Sequence, residues 1–184
     1  MLASSKAAYL ATMRCVIVVP TYNEAATIGD LLEAIDAIRT EIARVSIDVL
    51  FVDDNSPDGT RAVVSGHPGF GDWVRILPRA SKDGLGAAYR AGFAAAVQDG
   101  YDVVVQMDAD GSHPASAIPS LLGLLDTNDV AIGSRYVPGG RTENWPARRR
   151  VLSAAANTYA RREMTNALAT AIPWNARHEG AGRS

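Results

Sequence analysis

Apolar residues along this chain of 184 residues fall into two kinds of pattern. Short unbroken runs rich in β-branched residues occur at Cys15–Val19, Ile47–Val52, Val74–Leu77, Val103–Met107 and Val130–Gly133. Each predicts a strand covered on both faces, as strands of parallel sheets are. Between the first two runs, Ile28, Leu31, Leu32, Ile35, Ile38 and Ile42 recur with the period of a one-sided helix. An alanine-rich helix is expected over Leu85–Gln98, ended by Gly100, and another over Ala115–Leu125 after Pro114. Strands alternating with helices predict an α/β domain with a mainly parallel sheet. No internal repeat or low-complexity linker precedes residue 137.

Polar clusters stand in register with the predicted strands. Pro20-Thr21-Tyr22-Asn23-Glu24 follows the first and Asp53-Asp54-Asn55-Ser56-Pro57-Asp58-Gly59 ends the second. Arg79 to Gly86 follows the third, Asp108-Ala109-Asp110 the fourth and Ser134-Arg135-Tyr136 the fifth. All five belong at strand C-termini, the edge where open parallel sheets bind ligands. Two carboxylates two residues apart at a strand end, Asp108 and Asp110, fit one hard cation and the phosphates it bridges, or a turn before the helix at Pro114. Asp53 and Asp54 share that ambiguity, and the four together repel unless a cation or a hydrogen-bonding ligand compensates. Gly84-Leu85-Gly86 lacks the third glycine of a dinucleotide fingerprint, Tyr89 standing in its place, and no GxxxxGK[ST] loop exists. Lys82 beside these glycines fits either a backbone approach to a ligand or a plain helix start. His113 reads as a base or as a local hydrogen-bonding residue.

Composition narrows the chemistry further. The chain is 47% hydrophobic and 21% charged, ordinary for a soluble globular protein of one domain. One cysteine, Cys15, excludes an internal disulfide, and three scattered histidines disfavour a Cys/His zinc site. The formal net charge of -2 hides a division. Residues 1–134 carry 9 Lys and Arg against 17 Asp and Glu, whereas residues 135–184 carry 9 against 3. An acidic body suits a cation, and the forked donors of Arg135, Arg141 and Arg148-Arg149-Arg150, with Ser153 a turn later, suit phosphate. The acidic body and the lack of a basic patch interleaved with aromatics argue against nucleic acid. No apolar run approaches the ~20 residues that span a bilayer, and residues 1–13 read as a disordered extension without a secretory signal. The expected location is cytoplasmic, peripheral on a membrane face.

With these residues the sequence resembles the inverting glycosyltransferases of family 2, and within them the polyprenyl-phosphate (dolichol-phosphate) mannosyltransferases. VIVVPTYNE, FVDDNSPDGT, KDGLGAAYRAGF, QMDADGSHP, IGSRYVPGG and NWPARRRVLSAAANTYAR occur in the family's order between Arg14 and Arg161. The resemblance implies a GT-A fold over residues 14–161, a Rossmann-like α/β arrangement with a mainly parallel central sheet. It also implies transfer of mannose from GDP-mannose to the phosphate of a polyprenyl lipid, with Mg²⁺ or Mn²⁺ as cofactor. Residue by residue, Pro20, Tyr22 and Glu24 match the loop that holds base and ribose, and Asp53 the acidic contact to the base. Asp108 and Asp110 match the metal and diphosphate motif, with Ala109 contacting the nucleotide and Ser112 standing where some relatives place a glutamine ligand. Arg135 matches the arginine of the GSRY motif, and Arg149 with Ser153 the pair that receives the lipid phosphate.

One bottom-up argument bears on the acceptor. Inverting transfer to a sugar hydroxyl needs a general base, commonly an aspartate downstream of the fifth strand. No aspartate follows Asp129, and Glu143, Glu163 and Glu179 are isolated. A phosphate acceptor is already ionised and needs no base. Beyond Arg161 the resemblance ends, so residues 162–184 read as a divergent or truncated tail. A related hexosyltransferase using UDP-glucose, or an inactive nucleotide-sugar-binding fragment needing a partner chain, are the alternatives. Membrane contact is expected to be peripheral or through a membrane-protein partner.

Overall fold

A computed structural model describes residues 13–42 and 45–134, together with the backbone of Ala169–Pro173. The chain divides into two compact units, residues 1–116 and 117–184. In the first, four strands form one sheet in the order β3-β2-β1-β4, with β1 at Met13–Thr21, β2 at Val45–Asp53, β3 at Val74–Pro78 and β4 at Val103–Gln106. Every pairing is parallel, with Cys15 opposite Ile47 and Val103, and Val49 opposite Val74. β1 and β2 lie inside the sheet, and Cys15 to Val19, Val49, Phe51 and Val52 are fully buried, as the unbroken apolar runs predict.

Helices α1 (Ile28–Glu41), α2 (Thr60–Ser65) and α3 (Leu85–Gln98) connect the strands. α1 buries Ile28, Leu31, Leu32, Ile35 and Ile38, the stripe the periodicity marks. α2 has only six residues, too few to repeat a helical period, and the sequence pattern misses it. α3 begins and ends where the sequence predicts. It packs Ala88, Tyr89 and Ala96 against Val16, Val18, Leu50 and Val52 on one face of the sheet. Gly92 permits that approach, since a Cβ there would lie 2.4 Å from Val18 Cγ1 and 3.0 Å from Val52 Cγ2.

Strand order positions the site. The chain steps outward from β1 through β2 to β3 and then returns to the far side of β1 to make β4. Right-handed crossovers therefore put α3 on the opposite face from α1 and α2. The loops after β1 and β4 diverge from adjacent strands, which opens a crevice at the carboxyl edge.

A 3₁₀ turn at Ala115–Ala117, where the first unit ends and the second begins, leads into α4 at Ile118–Leu124, where one continuous helix is predicted. Pro119 lacks an N–H and belongs in a first turn, so the α-helix starts there. β5 (Val130–Ser134) pairs in parallel with β6 (Ala169–Pro173), Val130 opposite Ala169 and Ser134 opposite Pro173. The sequence predicts no strand there; ATAIP has one β-branched aliphatic residue and little strand signal. Val130 and Ile132 on β5, like Val104 on β4, are partly exposed, so these two strands are less buried than their apolar runs predict. The expected extension 1–13, apart from Met13 in β1, and most of the expected tail 162–184 lie outside the described residues.

Candidate functional site

Four of the five polar clusters meet at the carboxyl edge of the four-stranded sheet. An open cleft of about 250 Å³ is lined there by Pro20, Thr21, Tyr22 and Glu24 after β1, and by Asp54 after β2. Lys82, Leu85 and Ala88 line it from the start of α3, and Asp108, Ala109 and Asp110 from the end of β4. Of the residues expected to contact nucleotide or metal, Pro20, Tyr22, Glu24, Asp108, Ala109 and Asp110 share this cleft. Asp53 and Ser112 are not on its wall. Arg135, Arg149 and Ser153 lie outside the described residues.

The loop after β1 is held by the loop after β2 through three consecutive backbone amides. Asn23 N–H donates to Ser56 Oγ (3.1 Å), Glu24 N–H to Thr60 Oγ1 (3.0 Å) and Ala25 N–H to Asp58 Oδ2 (3.0 Å). Thr60 in turn donates its hydroxyl and its N–H to Asp58 Oδ1, at 2.6 and 3.0 Å. These donors, the Thr60 hydroxyl first, hold the Asp58 carboxyl below its ordinary range. Asn23 and Asn55 both take left-handed backbone, with φ of 63° and 62°, a conformation asparagine tolerates better than most residues. Thr27 Oγ1 donates to Glu24 Oε2 (3.1 Å) and fixes that side chain beside the cleft.

The acidic residues separate into two kinds. Asp53 is fully buried; its Oδ2 accepts from Arg61 Nε at 2.5 Å and from Ser56 N–H at 3.2 Å, while Oδ1 has no partner among the described residues. Asp54 Oδ1 accepts from Arg79 Nη1 at 2.5 Å, and Arg79 Nη2 also reaches Asp83. The expectation that a cation or a hydrogen-bonding ligand compensates the four carboxylates is thus corrected for two of them: Arg61 and Arg79 of the chain neutralise Asp53 and Asp54. No Lys or Arg among the described residues pairs with Asp108 or Asp110.

Asp108 is aimed by its neighbours. Tyr89 Oη donates to Asp108 Oδ1 at 2.7 Å, and burial together with that carboxylate pushes the tyrosine pKa up, so it remains a donor. Asp108 N–H donates to His113 Nδ1 (3.0 Å), which places the ring proton on Nε2, 3.7 Å from Asp108 Oδ2. His113 is thereby engaged as a local hydrogen-bonding residue. Asp110 is exposed, and its Oδ1 accepts the N–H of Ser112 (2.9 Å) across Gly111, whose φ of 73° lets the turn close. Gly84 opens α3 with φ 92° and ψ 157°, backbone essentially restricted to glycine. Cys15 is buried in β1, and desolvation, with Asp48 adding to it, pushes its thiol up to about 12, so it carries no chemistry.

Sequence patterns do not mark Tyr89, Arg61 or Thr60. Tyr89 is visible only as the residue replacing a third glycine, and Arg61 only as a basic residue eight positions after Asp53.

Among the described residues no three His, Cys, Asp or Glu side chains converge as a metal cage. Two strand-end carboxylates nevertheless fit a hard cation of the Mg²⁺ type, which keeps several waters and is bound through one or two carboxylates plus substrate phosphates. The donor set is all oxygen, as such a cation requires.

The parallel sheet with its crevice between the β1 and β4 loops fits several α/β folds; the similarities that follow identify it as the GT-A fold of glycosyltransferases. Residues 16–179 match the family described as Glycosyl transferase family 2, and the chain belongs to that family. The match runs past Arg161, where the motif resemblance ends, and takes in β6. The chain is 46% identical over 155 residues to a polyprenol monophosphomannose synthase of Mycolicibacterium smegmatis, covering 82% of this chain and 56% of that protein. It is 44% identical over 163 residues to an undecaprenyl-phosphate mannosyltransferase of Micrococcus luteus, covering 81% of this chain and 59% of that one. The chain thus spans little more than half the length of these relatives. Among solved structures it resembles glucosyl-3-phosphoglycerate synthase from Mycobacterium tuberculosis in complex with Mn²⁺, UDP and glucosyl-3-phosphoglycerate. That likeness has a TM-score of 0.52 and 25% identity, and covers 84% of this chain and 55% of that one.

Proposed function

We propose that the chain transfers mannose from GDP-mannose to the phosphate of a polyprenyl lipid, with inversion at the anomeric carbon. The observation that carries this reading is the pair Asp108 and Asp110, without a basic partner among the described residues, in the crevice where the β1 and β4 loops part. The similarity to the two mannosyltransferases supports the sugar and the acceptor class.

In this reading Pro20, Tyr22 and Glu24 hold the nucleoside, with Ala109 against it; Asp53 is assigned the acidic contact to the base, which requires the cleft wall to open toward its buried Oδ1. Asp108 and Asp110, with Ser112 through its hydroxyl or a water, hold Mg²⁺ or Mn²⁺. The ion, when bound, supplies charge neutralisation of the departing diphosphate. Mn²⁺ bound together with UDP in the M. tuberculosis enzyme supports a divalent ion in this fold.

The acceptor phosphate is an anion at neutral pH and attacks directly. One of its oxygens forms the new bond to the anomeric carbon while the bond from that carbon to the GDP oxygen breaks, and GDP leaves with the electron pair. No proton has to be removed, which agrees with His113 being engaged by Asp108 and its backbone. Arg135, Arg149 and Ser153 are assigned the gathering of the two anionic partners. No helix among the described residues is long and apolar enough to cross a membrane. We assign contact with the cytoplasmic face to peripheral binding or to a membrane-protein partner.

Incorporation of labelled mannose from GDP-mannose into a chloroform-soluble polyprenyl product, with Mg²⁺ or Mn²⁺, tests the proposal. Product is expected with GDP-mannose and not with UDP-glucose. Product from UDP-glucose alone would overturn the donor, and metal-dependent GDP binding without any product would favour a binding fragment.

A further inference from the structure

Among the described residues the one cation on the cleft wall is Lys82, and it rests on an aromatic ring. Its Nζ lies 3.8 Å from the centroid of the Tyr22 ring, and both residues line the cleft. The neighbouring carboxylate does not hold it there. Asp83 accepts from Arg79 Nη2 at 3.1 Å and from Ser81 Oγ at 3.0 and 3.1 Å. Among the described residues no acid pairs with Lys82. Tyr22 is 37% exposed, so its ring is the open aromatic surface of the β1 loop.

Two features of this contact matter. An exposed aromatic face in a cleft is a stacking platform for a nucleobase, and here an ammonium group covers it. A cation–π contact at an exposed site shifts an equilibrium by only about two- to fivefold. An ionised partner with several oxygens holds an ammonium more strongly. The ring is therefore a weak resting place, and a diphosphate in the same cleft is the better one.

We propose that Lys82 is a diphosphate-binding residue that covers the stacking face of Tyr22 until a diphosphate draws it away. The two halves of a nucleoside diphosphate then assist each other: the phosphates remove the lysine, and the cleared ring receives the base. A nucleoside alone must displace the lysine without offering it a new partner. The cleft thus discriminates against nucleosides beyond the simple loss of phosphate contacts. This inference rests on the reading of the cleft as a nucleotide-sugar site and adds the order in which its parts become available.

The test compares calorimetric affinities for GDP with Mn²⁺ and for guanosine, in the wild-type chain, Lys82→Met and Lys82→Arg. Lys82 is exposed, so neither substitution disturbs a packed core. In Lys82→Met, GDP is expected to bind at least about tenfold more weakly while guanosine binds about two- to fivefold more tightly. Lys82→Arg keeps the charge, and its GDP affinity is expected to stay within about threefold of wild type. Weaker GDP binding with unchanged guanosine binding would make Lys82 a plain anion contact and overturn the exchange. Equal weakening of both ligands, or unchanged GDP binding, would overturn its role altogether. A wild-type chain that binds neither GDP nor UDP would instead remove the nucleotide reading on which the inference rests.

Discussion

The two edges of the four-stranded sheet are both rich in charge, but they treat it differently. At the amino edge Arg75 Nη1 pairs with Asp99 at 2.9 Å and its Nη2 donates to Tyr101 Oη at 3.1 Å. Tyr101 Oη donates to Asp48 Oδ2 at 2.5 Å, and Arg14 lies over the Tyr101 ring, 4.5 Å from its centroid. Arg14 N–H donates to Asp102 Oδ2 at 2.9 Å. Every member meets a complementary group, and the network ties the starts of β1, β2 and β3 to the turn before β4. Burial, with the Asp48 contact adding to it, pushes the Tyr101 hydroxyl up to about 12, so it stays a donor at any ordinary pH. At the carboxyl edge Asp53 and Asp54 are neutralised by Arg61 and Arg79, and Arg79 also reaches Asp83. Among the described residues no Lys or Arg pairs with Asp108 or Asp110 and no acid pairs with Lys82, and all three line the cleft. Charge that is paired within the chain serves stability; charge left facing a cleft costs repulsion and is balanced when a ligand arrives.

Substitutions can break that contrast in graded steps. The largest expected loss of stability comes from Arg61→Met, which leaves the buried Asp53 carboxylate with one backbone donor. A cost of about 3 kcal/mol is expected, the low end for breaking a buried pair because the guanidinium is partly exposed. Urea denaturation measures it, and a change below about 1 kcal/mol would show that Asp53 needs no cation. Tyr101→Phe at the opposite edge removes one charged hydrogen bond and should cost about 1.5 to 3 kcal/mol, with GDP affinity unchanged. A fall in GDP affinity without loss of stability would erase the distinction between the edges.

A smaller effect is expected from acid. Asp58 has its pKa depressed in the folded chain, so its contribution is complete above the ordinary carboxylate value and is lost as pH falls through the lower, folded value. The difference in melting temperature between wild type and Asp58→Ala should therefore be constant near neutrality and shrink at strongly acidic pH. A difference that grows on acidification would contradict the role of Asp58 as an acceptor for Ala25 and Thr60.

Much of this contrast is legible in the sequence at one edge and little of it at the other. Unbroken apolar runs identify β1 to β5, and the regular placement of polar clusters after them locates the cleft, because a parallel sheet sends every loop that follows a strand to the same side. Periodicity defines α3 at both ends, since Gly84 and Gly100 bound a long alanine-rich stretch. What fails are features made by long-range contact. Pairing of Asp53 with Arg61 and of Asp54 with Arg79 depends on side chains crossing between loops, and a run of aspartates looks alike whether paired or not. Tyr89 reaches Asp108 from a helix 19 residues away in sequence. Short elements also escape, α2 because six residues hold no period and β6 because ATAIP lacks an apolar run.

On the proposed reading, Asp108 and Asp110 await a cation carrying a nucleoside diphosphate. Calorimetric titration of GDP into the wild-type chain and into Asp110→Ala, each with and without Mn²⁺, tests it most directly. Mn²⁺ is expected to strengthen GDP binding to wild type by at least about tenfold, which corresponds to about 1.4 kcal/mol of charge compensation. In Asp110→Ala that gain should vanish while folding stability stays the same or rises. An equal gain from Mn²⁺ in both chains, or none in wild type, would contradict the assignment of the β4 carboxylates.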